Sequence, residues 1–99
     1  MTVLTSKNFT QWVNKHKLSL VAFVSSTCPY CVKLEPELER AAKILIKSSI
    51  PLAKVDAIQE EDLGIKYDLK TLPTLILFRK GRNFPYTGGR EYYGKNFKK

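Results

Sequence analysis

A short apolar run, residues 18–24, ends just before the only two cysteines of the chain, Cys28 and Cys31. The run is rich in β-branched and aromatic residues, which predicts a strand that is buried on both faces of a sheet. After Cys28, apolar residues recur at helical spacing as far as Leu45, which predicts a long amphipathic helix. The two cysteines are therefore expected where a buried strand passes into a helix, an order typical of an α/β domain.

The spacing of the two cysteines indicates redox chemistry. Two thiols separated by two residues at a helix start can cycle between a dithiol and a disulfide, whereas a purely structural disulfide more usefully closes a long loop. A zinc site would need two further ligands, and the only histidine, His16, lies far from the pair in sequence. The sequence therefore predicts a redox-active pair and no bound metal.

The length and composition fit one compact domain over residues 1–99. Hydrophobic residues make up 43% of the chain, and no low-complexity tract or repeat interrupts it. The apolar runs are far shorter than the roughly 18 residues that a transmembrane helix needs. We therefore expect a soluble, monomeric domain without a transmembrane segment.

The net charge of +8 is unevenly distributed, because seven basic residues lie within the last 21 positions. Such an asymmetry can mark an anionic partner. Here the basic residues are dispersed among glycine, phenylalanine and tyrosine, and no nucleic-acid motif accompanies them. We interpret them as a solvated basic surface and expect no nucleic-acid partner.

The start of the chain shows no charged segment followed by an apolar signal core. Two locations stay open on this basis. The endoplasmic reticulum lumen is expected if the chain is a domain excised from a secretory precursor, and the cytoplasm if it is full length.

The remaining elements follow from periodicity and turn chemistry. Helices are predicted over residues 7–16 with Ser6 as N-cap, 61–67 and 90–99, strands over 50–55, 74–78 and 83–87, and a hairpin turn at Lys80-Gly81. This order predicts an α/β fold with a central mixed sheet and helices on both faces.

Short motifs spread along nearly the whole chain carry a family resemblance. They include the CxxC pair, Leu34-Glu35-Pro36, Ala53-Lys54-Val55-Asp56-Ala57, Lys66-Tyr67-Asp68-Leu69, Leu72-Pro73-Thr74-Leu75 and Gly88-Gly89. Together they resemble the thioredoxin fold, and specifically the catalytic domain of protein disulfide isomerases. The resemblance implies one thioredoxin-like domain, a thiol–disulfide oxidoreductase that reduces, forms or isomerises disulfides in protein substrates.

The dipeptide between the cysteines departs from the isomerases, which usually carry Gly-His there. Pro29-Tyr30 resembles glutaredoxins instead, although the lysine that commonly precedes the first glutaredoxin cysteine is replaced by Ser25 and Ser26. We interpret the chain as an isomerase-like scaffold with a glutaredoxin-like CPYC active site. Two alternatives stay open: a glutathione-dependent glutaredoxin that acts through Cys28 alone, and a peptide-binding or chaperone module of a larger disulfide isomerase.

The two thiols are expected to have different roles. Free N–H groups and the positive dipole end of the helix should lower the pKa of Cys28, which makes it the nucleophile. Cys31, one turn later and more buried, should resolve the mixed disulfide. Because Tyr30 replaces the isomerase histidine, we expect a weaker oxidant, near the −200 to −230 mV typical of glutaredoxins.

The resemblance also implies the substrate-binding residues and the partners. Pro73 matches the cis-proline that faces the CxxC pair, and the backbone of Leu72 matches the segment that pairs with an extended substrate. Pro29 and Tyr30 complete the expected substrate-binding set. No cofactor is expected beyond the redox-active pair, and the partners would be protein thiols and disulfides, with glutathione or a reductase as candidate electron donors.

One position departs from the family in its proton relay. The family carries a buried acid six residues before the first cysteine, paired with a lysine, but here Ala22 occupies the acid position while Lys54 matches the lysine. We expect slower deprotonation of Cys31, and a Lys54 that snorkels outward, titrates low or finds another acid. Arg90 matches an isomerase arginine that modulates the pKa of the second thiol; its alternative is a surface residue in a basic tail.

Overall fold

One mixed sheet organises the part of the chain that the computed structural model describes, residues 1–85, with side chains described through residue 82. Its strands are β1 (Thr2–Leu4), β2 (Leu18–Val24), β3 (Leu52–Asp56), β4 (Thr74–Arg79) and β5 (Arg82–Pro85). The spatial order is β1-β3-β2-β4-β5. β1 and β2 run parallel to β3, whereas β4 runs antiparallel to β2 and to β5. The predicted mixed sheet is confirmed.

Helices cover both faces of this sheet. They are α1 (Phe9–Lys15), α2 (Pro29–Leu45), which leads into a short 3₁₀ turn (Ile46–Ser48), and α3 (Glu61–Lys66). Phe9 of α1 and Leu63 of α3 share one core cluster, whereas Cys31 and Leu38 of α2 belong to another. Within residues 1–85, no helix is long and apolar enough to cross a membrane. The predicted two-sided α/β layering is confirmed.

Strand β2 lies in the middle of the sheet and separates the two cores. Val21 and Phe23 pack toward α1 and α3, while the alternate residues Ala22 and Val24 pack toward α2. Because successive strand side chains point to opposite faces, a strand covered on both sides must be apolar at every such position. This explains the apolar run before the cysteines, in which Ser19 is the one polar residue.

The beginning of the chain differs from the sequence prediction in two ways. Residues 2–4 form an edge strand, which was not predicted because three residues show no periodicity of their own. The predicted N-cap Ser6 is wrong, since α1 begins at Phe9 after Asn8. The Ser6 hydroxyl instead lies within hydrogen-bond distance of the carboxylates of Glu60, at 2.9 Å, and Asp62, at 2.6 Å, and can donate its one proton to either. Two nearby carboxylates compete for this hydroxyl more strongly than a helix start does.

The hairpin between β4 and β5 turns at Lys80 and Gly81, as predicted. Both residues have positive φ, 52° and 85°, which is the backbone of a type I′ turn. The predicted edge strand over 83–87 is present as Arg82–Pro85 within the described residues. Its last two positions, the predicted helix over 90–99 and Arg90 lie outside the described residues.

Candidate active site

Cys28 occupies the N-cap position of α2, directly after the loop that leaves β2. Its backbone is extended, with φ −94° and ψ 113°, and Pro29 takes the first helical turn. In the loop, the amide of Thr27 donates to the Ser25 hydroxyl at 3.1 Å, which closes a tight turn before the cysteine. The sulfur of Cys28 accepts a hydrogen bond from the backbone N–H of Cys31 at 3.2 Å. The helix start therefore uses a thiol as its cap.

The environment of Cys28 favours its thiolate. A hydrogen bond from the Cys31 side chain, assisted by the backbone N–H groups of Cys31 and Tyr30, lowers the pKa of Cys28 below its ordinary value of 9.0. Desolvation opposes this shift without reversing it. The direction agrees with the expectation from the helix start, and the thiol is partly exposed, so a substrate can reach it.

The environment of Cys31 favours its thiol. Only 3% of the residue is exposed, and burial raises the pKa of Cys31 to about 11. The hydrogen bond to Cys28 and the negative charge of Asp56 act in the same direction. At neutral pH, Cys31 is therefore a protonated, inaccessible sulfur one helical turn from a reactive one.

The loop before β4 brings a backbone carbonyl close to the sulfur of Cys28. The Leu72–Pro73 peptide bond is cis, as the resemblance implied. The thiol of Cys28 faces the Leu72 carbonyl at 3.8 Å. Tyr30 is 72% exposed beside the pair. The chain thus gathers Pro29, Tyr30 and Leu72 around Cys28, while their role in substrate binding stays a prediction.

Lys54 forms an ion pair with an acid other than the one that the family carries. Ala22 and Lys54 are register partners on β2 and β3, so the position of the expected acid and the lysine are indeed neighbours. Because Ala22 is fully buried and has no carboxylate, the Lys54 ammonium pairs instead with Glu35 of α2. Of the three outcomes expected for Lys54, pairing with an acid elsewhere is the one observed.

Glu35 is the site residue that sequence reasoning did not identify. The helical pattern places it with the polar residues opposite the apolar face, although its spacing of four from Cys31 on the same helix is a usable signal. Glu35, Lys54, Asp56 and Cys31 all line one cavity of about 550 Å³. The buried thiol thus opens onto a space that also contains carboxylates and an ammonium group.

The last two candidate features are the single histidine and a metal site. The His16 ring packs edge-on against Trp12, with 4.7 Å between ring centroids, which agrees with the packing role expected for it. Among residues 1–85, no group of three histidine, cysteine, aspartate or glutamate side chains could hold a metal ion. The expectation that the whole chain binds no metal stays a prediction.

Comparison with known proteins places these features in a family context. The thioredoxin family model matches residues 1–95. The chain is 54% identical over 94 residues to protein disulfide-isomerase A4 of Bos taurus, a match that covers 93% of the chain and 15% of that protein. It is 52% identical over 94 residues to the Homo sapiens protein of the same name, with the same coverage.

A solved structure gives the same result. The solution structure of the first thioredoxin domain of mouse protein disulfide-isomerase A4 aligns with a TM-score of 0.82 at 31% identity, covering 97% of this chain and 72% of that one. The predicted thioredoxin fold and the resemblance to protein disulfide isomerases are confirmed. The chain spans about 15% of the length of the curated relatives it matches.

Proposed function

Since the chain belongs to the thioredoxin family, we propose that it exchanges disulfides with protein substrates through Cys28 and Cys31. One observation carries this proposal: a partly exposed Cys28 with a lowered pKa lies next to a buried Cys31 with a pKa of about 11. The Cys28 sulfur is suited to attack a disulfide that approaches from solvent. The Cys31 sulfur is suited to stay protonated until it resolves the mixed disulfide.

The reaction has two exchange steps. The Cys28 thiolate attacks one sulfur of a substrate disulfide, a mixed disulfide forms, and the other substrate sulfur leaves as a thiolate that takes a proton from water. Cys31 then loses its proton and attacks the Cys28 sulfur, which forms the Cys28–Cys31 disulfide and releases the second substrate thiol. Two electrons pass to the substrate, and the same steps run backwards introduce a disulfide.

The surroundings of Cys28 suit an extended polypeptide. The Leu72 carbonyl, 3.8 Å from the Cys28 sulfur, is a backbone acceptor at the point where a substrate strand would lie. Tyr30, two residues after Cys28, offers an exposed aromatic surface. Glutathione or a reductase would return the pair to its dithiol form.

A glutathione-dependent activity is the second candidate. The observation that favours it is the Pro29-Tyr30 dipeptide, whose tyrosine is 72% exposed next to the attacking sulfur. In that case Cys28 would exchange glutathione alone, and Cys31 would not be needed.

Replacing the resolving thiol separates the two candidates. Cys31→Ser should trap a mixed disulfide between Cys28 and a protein substrate with mispaired disulfides, such as scrambled ribonuclease, because nothing remains to release it. The adduct is measured by non-reducing gel and mass spectrometry, with Cys28→Ser as the variant that forms none. Full removal of glutathione from a glutathionylated protein by Cys31→Ser, without trapped adducts, would instead establish the second candidate.

A further inference from the structure

The resolving step of the proposed function, on which this inference rests, needs an acceptor for the proton of Cys31. We propose that Glu35, held in place by Lys54, accepts the proton that leaves the Cys31 sulfur, through water in their common cavity. Glu35 thereby takes over the task of the acid that the family carries at the position of Ala22. It is a proton-relay residue on α2 rather than on β2.

The helix geometry places the two groups on one side of α2. Cys31 and Glu35 are four residues apart within Pro29–Leu45, so they are neighbours one turn apart, with Cβ atoms about 5–6 Å from each other. Both line the cavity of about 550 Å³. Most of its lining is apolar, but Glu35, Lys54 and Asp56 supply polar groups, and the volume is large enough for water molecules to connect a sulfur to a carboxylate.

The ion pair fixes the carboxylate on the cavity side. Lys54 lies on β3 next to Ala22 of β2, and with no acid at Ala22 its ammonium reaches across to Glu35. The side chains are 25% and 40% exposed, so the pair is shielded from water more than an ordinary surface ion pair. Lys54 therefore acts as a positioning residue for Glu35.

The chemistry requires an acceptor at this place. With a pKa of about 11, only about one Cys31 in ten thousand is a thiolate at pH 7. In the resolving step the S–H bond of Cys31 breaks, its proton passes to the Glu35 carboxylate, and the freed electron pair forms the bond to the Cys28 sulfur. The bond from Cys28 to the substrate sulfur breaks, and Glu35 later returns its proton to water.

The other charged carboxylate that faces Cys31 is already engaged. Asp56, at the end of β3, accepts hydrogen bonds from the backbone N–H groups of Ile58 at 3.0 Å and Gln59 at 3.2 Å. These bonds hold the carboxylate in a turn, where its oxygen is occupied by backbone donors. Cys28 carries no charge while it is in the mixed disulfide, which leaves Glu35 and Lys54 as the pair able to exchange a proton.

Single-turnover kinetics test this assignment. Reduced protein is mixed with dithiobis(nitrobenzoate): Cys28 releases one coloured thiolate as it forms the mixed disulfide, and Cys31 releases the second as it resolves it. Glu35→Gln keeps the shape of the side chain and should slow only the second phase, on the order of 10-fold at about pH 7. The difference should close as the pH approaches about 10, and added imidazole should restore the rate at neutral pH.

A matched control lies on the same helix. Glu37→Gln makes the same substitution at an exposed residue that pairs with Arg40, and it should leave both phases unchanged. Lys54→Met keeps the aliphatic stem and should slow the second phase without slowing the first.

Three results overturn the relay assignment, and a fourth contradicts the proposed function. An unchanged second phase in Glu35→Gln shows that Glu35 does not accept the proton. A faster second phase in this variant shows that the Glu35 carboxylate acts only by disfavouring the Cys31 thiolate. A slow second phase in Asp56→Asn with a normal one in Glu35→Gln assigns the relay to Asp56. A wild-type chain with no second phase contradicts the proposed function itself, which distinguishes that failure from a failure of the relay.

Discussion

The two cysteines have the same side chain and differ only in what surrounds them. Cys28 caps a helix, receives hydrogen bonds and has a lowered pKa. Cys31, three residues later, points into the core beneath α2, where burial raises its pKa to about 11. The difference in burial follows from their positions, because Cys28 is the N-cap at the open end of α2 whereas Cys31 lies in its first turn and packs into the core.

This difference predicts the order of alkylation. Iodoacetamide reacts with thiolates, whose fraction grows as the pH rises through the pKa, so Cys28 should be modified first at about pH 7. Cys28→Ser removes the contribution of Cys28 to the raised pKa of Cys31 but leaves burial, its largest cause, so the remaining thiol should still resist modification at neutral pH. Mass spectrometry after timed quenching gives both profiles, and equal rates for the two cysteines at neutral pH would contradict the assignment.

The contribution of Cys31 to the lowered pKa of Cys28 can be tested by the same alkylation measurement. The largest cause of its lowered pKa is the hydrogen bond from the Cys31 side chain. Cys31→Ala should therefore shift the alkylation profile of Cys28 to higher pH, whereas Cys31→Ser, which keeps a donor, should shift it less.

At the scale of elements, the hairpin between β4 and β5 depends on one glycine. Gly81 has φ +85°, a conformation that other residues adopt at a cost, and a Cβ atom there would lie 1.9 Å from the Oδ1 atom of Asn14 on α1. Gly64 in α3 is different, because its nearest contact to an added Cβ is the Ala57 carbonyl oxygen at 3.6 Å, an ordinary distance.

The same substitution should therefore have opposite effects at these two glycines. Gly81→Ala should lower the free energy of unfolding by about 1–2 kcal/mol through backbone strain and the displaced Asn14 side chain. Gly64→Ala should raise it by about 0.5–1 kcal/mol, because alanine loses less conformational entropy in a helix. Urea unfolding of both variants measures this, and equal destabilisation would show that the turn geometry is not the cause.

At the scale of the whole molecule, the sheet separates two cores of different composition. The core beneath α1 and α3 is aromatic, with Phe9, Phe23, Tyr67 and Phe78 in mutual contact at centroid distances of 5.5–6.2 Å. The core beneath α2 is aliphatic and contains Cys31. The larger rings stabilise one face, while the redox pair and its cavity occupy the other.

Most of this arrangement could be predicted from sequence, for physical reasons. The apolar run of β2, the periodicity of α2 and the Lys80-Gly81 turn are local patterns, and the structure contains all three. The contacts of Ser6 with Glu60 and of Lys54 with Glu35 could not be predicted, since they join residues that only the assembled sheet brings together. The proton relay depends on one of these long-range contacts, so it became visible only in three dimensions.

The reduction potential of the Cys28–Cys31 pair tests the central claim most directly. It is measured by equilibrating the protein with glutathione buffers and counting trapped thiols by mass spectrometry. A Pro-Tyr dipeptide without a histidine predicts a midpoint of about −200 to −230 mV. A midpoint above about −150 mV would contradict the expectation of a weak oxidant. A protein that forms no Cys28–Cys31 disulfide at any buffer ratio would contradict the dithiol–disulfide mechanism as a whole.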